Sequence, residues 1–350
     1  MRRFLVAMLF MAALLGAQQP SYRERMRAES QANSERFKQE LDRLRRLVRP
    51  EQAGEQMAGF VQRLLGRLNQ AEERLAAGYP NLALRDFGPS RNRLLAVGYQ
   101  VEQQESGHTS LDALQQEWRR LEPLLKEKQQ RYRSLNSSSP TALAVALSQA
   151  VALQALPYGQ SALNYARAAD PGSGLLYLGV AQFSLDWAFF CREFTSSKPH
   201  PVVDGQKVKA EQQSIEDATL NAYQQPGAAT RLHSQFIVLN STLKELRELL
   251  AEGWLFGALD KLLEARLRLT MIQAGSEQPP ERPQLTEKST QWNSRFNASH
   301  LDHSIALSYW ESAQQILDKT ETEAEDLRRA AVLLDELLPL YFRLIEEPSP

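Results

Sequence analysis

VQRLLGRLNQAEERLAAGYPNLALRDFGPSRNRLL, residues 61–95, and FIVLNSTLKELRELLAEGWLFGALDKLLEARLRLT, residues 236–270, decide how this chain is read. Aligned without a gap at an offset of 175, they agree at eleven of 35 positions. Leu64, Leu68 and Leu75 meet Leu239, Leu243 and Leu250; Gly78 meets Gly253, and Ala83 meets Ala258. Arg91 and Arg93 meet Arg266 and Arg268, and Tyr79 stands opposite Trp254. Both stretches read as an amphipathic helix, a glycine followed by an aromatic, then a second helix. Glycine closes a helix in the left-handed conformation at little cost. The aromatic plugs the corner, and a small alanine lets the two helices approach. The echo predicts a repeated helical hairpin. Two amphipathic helices in similar register also match in part by chance, so superposition of the two backbones is the test.

Working outward, nearly every segment carries the helical period. Residues 18–50 read as a charged peripheral helix, with Phe37, Leu41, Leu44 and Leu47 as a thin apolar stripe. Residues 51–195 read as N-terminal helical hairpins: helices over 51–77, 80–104 with a bend at Gly88-Pro89, 110–134, 141–168 and 175–194, with breaks at Ser137-Ser138-Ser139-Pro140 and Asp170-Pro171-Gly172-Ser173-Gly174. An irregular connector follows over 196–208, where Val202-Val203 and Val208 flank Asp204-Gly205 and form the one candidate for a brief strand pair. The hairpin echoing 61–95 occupies 209–275, a proline-containing linker 276–299, and a C-terminal helical hairpin 300–350.

Residues 150–190 read as a looser third copy, with Tyr177, Ala181 and Ala188 in the places of Trp254, Ala258 and Ala265. The tail, with Tyr309-Trp310 and Leu327 to Tyr341, reads as a fourth hairpin. The fold class expected is all-α: helical hairpins packed as an irregular multi-helix bundle or a short α-solenoid, as one elongated unit or as two lobes split near 195–210. In style this resembles the tetratricopeptide repeat, and Tyr177-Leu178-Gly179 is similar to its Leu-Gly pair. The residue three places after that glycine is Gln182 where an aromatic is expected, and the spacing is not the roughly 34 residues of that repeat. The family is therefore not assigned.

Arg2 and Arg3 precede an apolar run from Phe4 to Leu15, then Gly16-Ala17 and polar Gln18-Gln19-Pro20. That order is the order of a secretory signal peptide, cleaved after Ala17. It predicts a periplasmic or secreted protein, and a shorter run than the roughly 20 residues of a membrane span argues against an uncleaved anchor. No later stretch is read as long and apolar enough to cross a bilayer. Cys191 is the only cysteine, so no internal disulfide forms; its apolar neighbours Trp187 to Phe190 mark it as a buried hydrophobe. Formal net charge is −1 with both signs interspersed, which makes nucleic acid and anionic membrane poor partners.

Candidate chemistry is sparse. His300-x-x-His303 would put two imidazoles on one helical face, a metal-like spacing without a third ligand in sequence. Phe183, Trp187, Phe190 and Phe194 recur at i, i+4, i+7 and i+11. That is core packing or, with Tyr165 and Tyr177, an aromatic groove for a peptide or hydrophobic ligand. Arg91/Arg93 and Arg266/Arg268 are either solvated helix faces or clamps for carboxylate or phosphate. Gly-x-Ser-x-Gly, His-Glu-x-x-His, Cys-x-x-Cys and a phosphate loop are absent. No catalytic residue and no cofactor are assigned. The function expected is a non-enzymatic binding or scaffold protein with a protein partner in the envelope or outside the cell. The alternatives are an enzyme with dispersed catalytic residues and a binder of a small hydrophobic ligand on the aromatic helix 175–194. Oligomeric state is not legible.

Overall fold

The computed structural model describes residues 31–47, 54–135, 139–225, 227–274 and 280–346. The expected signal peptide, 1–17, lies outside them. The architecture is an all-α multi-helix bundle: α1 Gln31–Leu47, α2 Gly54–Ala76, α3 Pro80–Glu105, α4 Leu111–Arg133, α5 Ala142–Ala168, α6 Pro171–Cys191, α7 Gly205–Tyr223, a single turn α8 Ala228–Arg231, α9 His233–Ala251, α10 Leu255–Gln273, α11 Arg282–Ala298, α12 Ser304–Leu317, α13 Ala324–Val332 and α14 Leu338–Leu344.

Helix starts follow capping chemistry. Ser110, Thr141, Asp170 and Asp204 each sit in extended backbone and accept from amides two or three residues on. This chemistry moves two boundaries. Asp170 caps α6 and Pro171 is its first residue, so the helix begins before 175. Asp204 likewise starts α7 at Gly205 inside the expected connector. The expected linker 276–299 is mostly helix, because Pro283 falls at the second position of α11, where its missing N–H costs nothing. The second helix of the C-terminal hairpin, 324–344, is not uniform. A wide π turn, Leu333–Leu337, separates α13 from α14, directly before Pro339 removes an amide from the ladder. The strand Val202–Val203 pairs antiparallel with Ile345–Glu346 and not with Val208, which belongs to α7. The connector is thereby pinned to the C-terminal end.

α5 and α6 pack on each other, with α3 against α6 and α10 against α5. Both α5 and α6 are long and apolar enough to cross a membrane by length and composition, which corrects the expectation that no such stretch exists; 56% of each apolar window is buried by the surrounding helices. Small residues set the close approaches. A Cβ on Gly179 would lie 2.7 Å from the Ala96 backbone on α3. One on Gly88 would lie 2.5 Å from the Trp187 indole. The larger hydrophobic cluster runs from Phe37 to Ile345 and includes residues on both sides of 196–208, so the chain does not split into two lobes there.

The two echoing corners share one hydrogen-bond pattern. Gly78 and Gly253 adopt φ of 88° and 71°. Tyr79 N donates to Arg74 O and Trp254 N to Leu249 O, each at 2.9 Å. Ala83 N then donates to Tyr79 O and Ala258 N to Trp254 O, each at 3.0 Å. The α5–α6 corner differs, turning through Ala169 and Asp170 without a left-handed glycine.

Candidate functional site

The residues singled out in sequence fall into three groups. Trp187 is 1% exposed and fills the notch above Gly88, against Phe87 and Phe190. Phe183 is half-buried against both hydrophobic clusters. This helix is core, not an open aromatic groove. Tyr165 and Tyr177 do come together, stacked at 4.1 Å on the α5–α6 surface with Tyr158 beside them. Burial pushes the Tyr177 hydroxyl up to about 12.

Arg91 is buried, and its Nε donates to Glu40 Oε1 at 2.7 Å, fixing α3 to α1. Arg268 binds Glu264 within its own helix at 2.6 Å, and Arg266 lies 3.7 Å from Glu211 and 3.6 Å from Glu336. Those three are internal ties. Arg93 is exposed on α3. The four arginines form no common clamp.

The histidine pair does not share a helical face, because both residues precede α12. His300 is exposed and His303 buried. His303 Nε2 lies 2.8 Å from Ser299 Oγ and its Nδ1 3.1 Å from the Tyr341 hydroxyl. Ser299 and His303 have the separation of a nucleophile and its base. However, the second ring nitrogen meets a phenol where a carboxylate would be needed to strengthen the base. Burial, with Lys198 and Arg295 nearby, pulls His303 down to about 4, so at neutral pH it is an uncharged ring joining α11 to α14. Among the described residues no group of three His, Cys, Asp or Glu is arranged to hold a metal ion.

Sequence reasoning missed the buried polar centre. Arg85 on α3 makes a forked pair with Asp260 on α10, Nη2 to Oδ1 at 2.5 Å and Nη1 to Oδ2 at 3.1 Å, and its Nε donates to Ser308 Oγ at 3.0 Å. Its guanidinium also lies 4.4 Å from the Tyr309 ring centre. Burial alone would ease its proton off, but the Asp260 carboxylate outweighs that and holds the pKa above its ordinary value. Glu311 caps α3 through Leu82 N at 2.6 Å and Asn81 Nδ2 at 2.8 Å. These groups are spent on one another, which is the arrangement of a structural network and not of a catalytic one.

Two of the concave features among the described residues are lined by aromatic and leucine side chains. One is a cavity of about 450 Å³ between α1, the α2–α3 corner, the 194–198 segment and the α11–α12 corner. The other is a groove of about 350 Å³ between the C-terminal half of α7 and the N-terminal half of α9. Its floor is Thr219, Phe236 and Leu243; Leu220, Tyr223 and Ile237 stand along it, with Glu216, His233 and Arg247 at its edge. Comparison of the chain with protein-family models, curated proteins and solved structures finds no match.

Proposed function

We propose that this is a non-enzymatic binding protein whose α7–α9 groove receives an amphipathic helix of a partner protein. One observation carries the reading. Among the described residues eight large hydrophobic side chains are exposed, and four of them lie on this helix pair: Leu220 at 56%, Ile237 at 55%, Tyr223 and Val238 at 42% each. The other four are scattered over separate elements. Scattered apolar side chains are ordinary on a surface, whereas a cluster marks an interface. Two neighbouring helices with an apolar floor and a polar edge suit a third helix inserting anchors at i, i+3 and i+4. The edge supplies both signs of charge, with Arg247 3.4 Å from Glu216, so polar partner residues find matches at either side.

The test is a photo-crosslinking residue placed at position 237 of the full chain, with the same residue at position 124 as the control for ordinary exposure. Cross-linking from 237 to one protein species, lost on Leu220→Asp, supports the reading. Products identical from both positions, or products consisting only of the chain itself, overturn it.

Export belongs to the same proposal and rests on residues 1–17 alone. A mature chain beginning near Gln18 is the expected result of N-terminal sequencing, and an intact Met1 end contradicts it. Hairpins α2–α3 and α9–α10 are also read as copies of one unit, supported by their shared glycine corner.

A further inference from the structure

We propose that the cavity between α1, the α2–α3 corner and the α11–α12 corner binds a small amphiphilic anion, an apolar body carrying a carboxylate head. The site is separate from the α7–α9 groove and does not depend on the partner reading.

The volume comes first. About 450 Å³ lies within the roughly 300–1,000 Å³ of small-molecule pockets. It is far more than one water or one inorganic ion occupies. Much of the wall is apolar: Phe37, Leu75, Leu84, Phe194, Phe296 and Leu307 come from α1, α2, α3, the segment after α6, α11 and α12. Water gains little against such a wall, and an alkyl or ring body gains its burial.

The polar wall decides the sign of the head. Of the described residues lining the cavity, Lys198 is the one lysine or arginine and Asp302 the one carboxylate. Asp302 has both oxygens engaged by the starts of two helices: Oδ2 accepts from Ala142 N at 2.8 Å and Oδ1 from Ser304 N at 2.9 Å. The positive ends of α5 and α12 therefore offset its charge. The hydroxyl oxygens of Thr141, Ser196 and Ser304 are acceptors for backbone amides, from Ala144 N at 3.1 Å, Lys198 N at 3.1 Å and Leu143 N at 2.8 Å. A hydroxyl whose oxygen accepts one such bond keeps its own hydrogen available to donate. Lys198 Nζ donates one bond, to Ser299 O at 3.2 Å, out of three it carries. The polar wall thus offers hydroxyl donors beside one lysine, while its one carboxylate is already engaged by two helix starts, and a carboxylate is the head that matches it.

Calorimetric titration of the full chain with decanoate and with decyltrimethylammonium tests this, since the two share a tail and differ in the sign of the head. Decanoate should bind at least about tenfold more tightly than the ammonium amphiphile. Lys198→Gln should lower decanoate affinity at least about tenfold and should not lower that of the ammonium compound. Leu84→Trp, or Leu307→Trp should the first fail to fold, should abolish binding of both by filling the space. Ile237→Asp, in the α7–α9 groove, should leave decanoate binding intact. No binding of decanoate, binding indifferent to Lys198→Gln and to the tryptophan variant, or binding lost on Ile237→Asp overturns the proposal. Failure of the cross-linking test leaves these outcomes unaffected, so the two readings fail separately.

Discussion

Replacing Asp260 by alanine should destabilise the fold by about 3–5 kcal/mol, the cost of stripping one partner from a buried ion pair. The structure sets that magnitude. The Asp260 side chain is 4% exposed and that of Arg85 18%, so the guanidinium left behind cannot regain full hydration. It would keep Ser308 Oγ, 2.7 Å from Nη2, and the Tyr309 ring, neither of which carries a charge. Arg85→Met should cost a similar amount by leaving the carboxylate unpaired. The double variant Arg85→Met/Asp260→Leu should recover most of the loss, to within about 1–2 kcal/mol of the parent, because no buried charge remains. Urea unfolding followed by circular dichroism completes the cycle. In thermal scans Asp260→Ala should lower the midpoint by on the order of 10 °C, at roughly 2–4 °C per kcal/mol. An Asp260→Ala cost below about 1 kcal/mol, or a double variant as unstable as the two single losses added, would refute the claim that this pair ties α3 to α10.

His303 sets a pH dependence. Its pKa in the fold is near 4 against the ordinary 6.5. The unfolded chain therefore gains a proton that the folded chain refuses, and stability present above pH 6.5 is lost as pH falls toward 4, by about 3 kcal/mol in all. His303→Gln should flatten that slope between pH 6.5 and 5 in urea titrations. Gly179→Ala should destabilise, since its Cβ would sit 2.7 Å from Ala96 backbone, whereas Gly66→Ala, with nothing within 4 Å, should stabilise α2 by about 0.5–1 kcal/mol. Thermal scans of the two variants should move in opposite directions. Cys191 is fully buried and burial pushes its thiol well up, so a thiol reagent should label it only as fast as the protein unfolds.

Helix type and many helix ends were legible because their causes are local. Ser110 and Thr141 cap the amides just beyond them, at the starts the sequence reading placed. Gly78 and Gly253 are left-handed because the corner they close admits little else. The miss at 282–298 came from reading Pro279, Pro280 and Pro283 as a linker, although Leu285, Ser289, Trp292 and Phe296 carry a helical stripe through it. The Arg85–Asp260 pair left a trace in sequence, since its two members occupy equivalent positions, 175 apart, in the two echoing stretches. Opposite charge at matched positions was the signal that could have found it. The cavity left none. Phe37, Thr141, Lys198 and Asp302 are dispersed along the chain, and only the packing of five or more elements brings them to one wall.

What this sequence determined alone is the all-α class, the corners and the caps, because hydrogen bonds within a few residues and a 3.6-residue period are written locally. Which faces meet was decided by the tertiary structure. Burial turned the aromatic helix into core, parted the two histidines and spent three of the four arginines on internal carboxylates. It left an apolar groove and a cavity of mixed apolar and polar wall where helices from distant parts of the chain fail to close completely. Such places depend on the sum of many long-range contacts, and no window of sequence contains that sum.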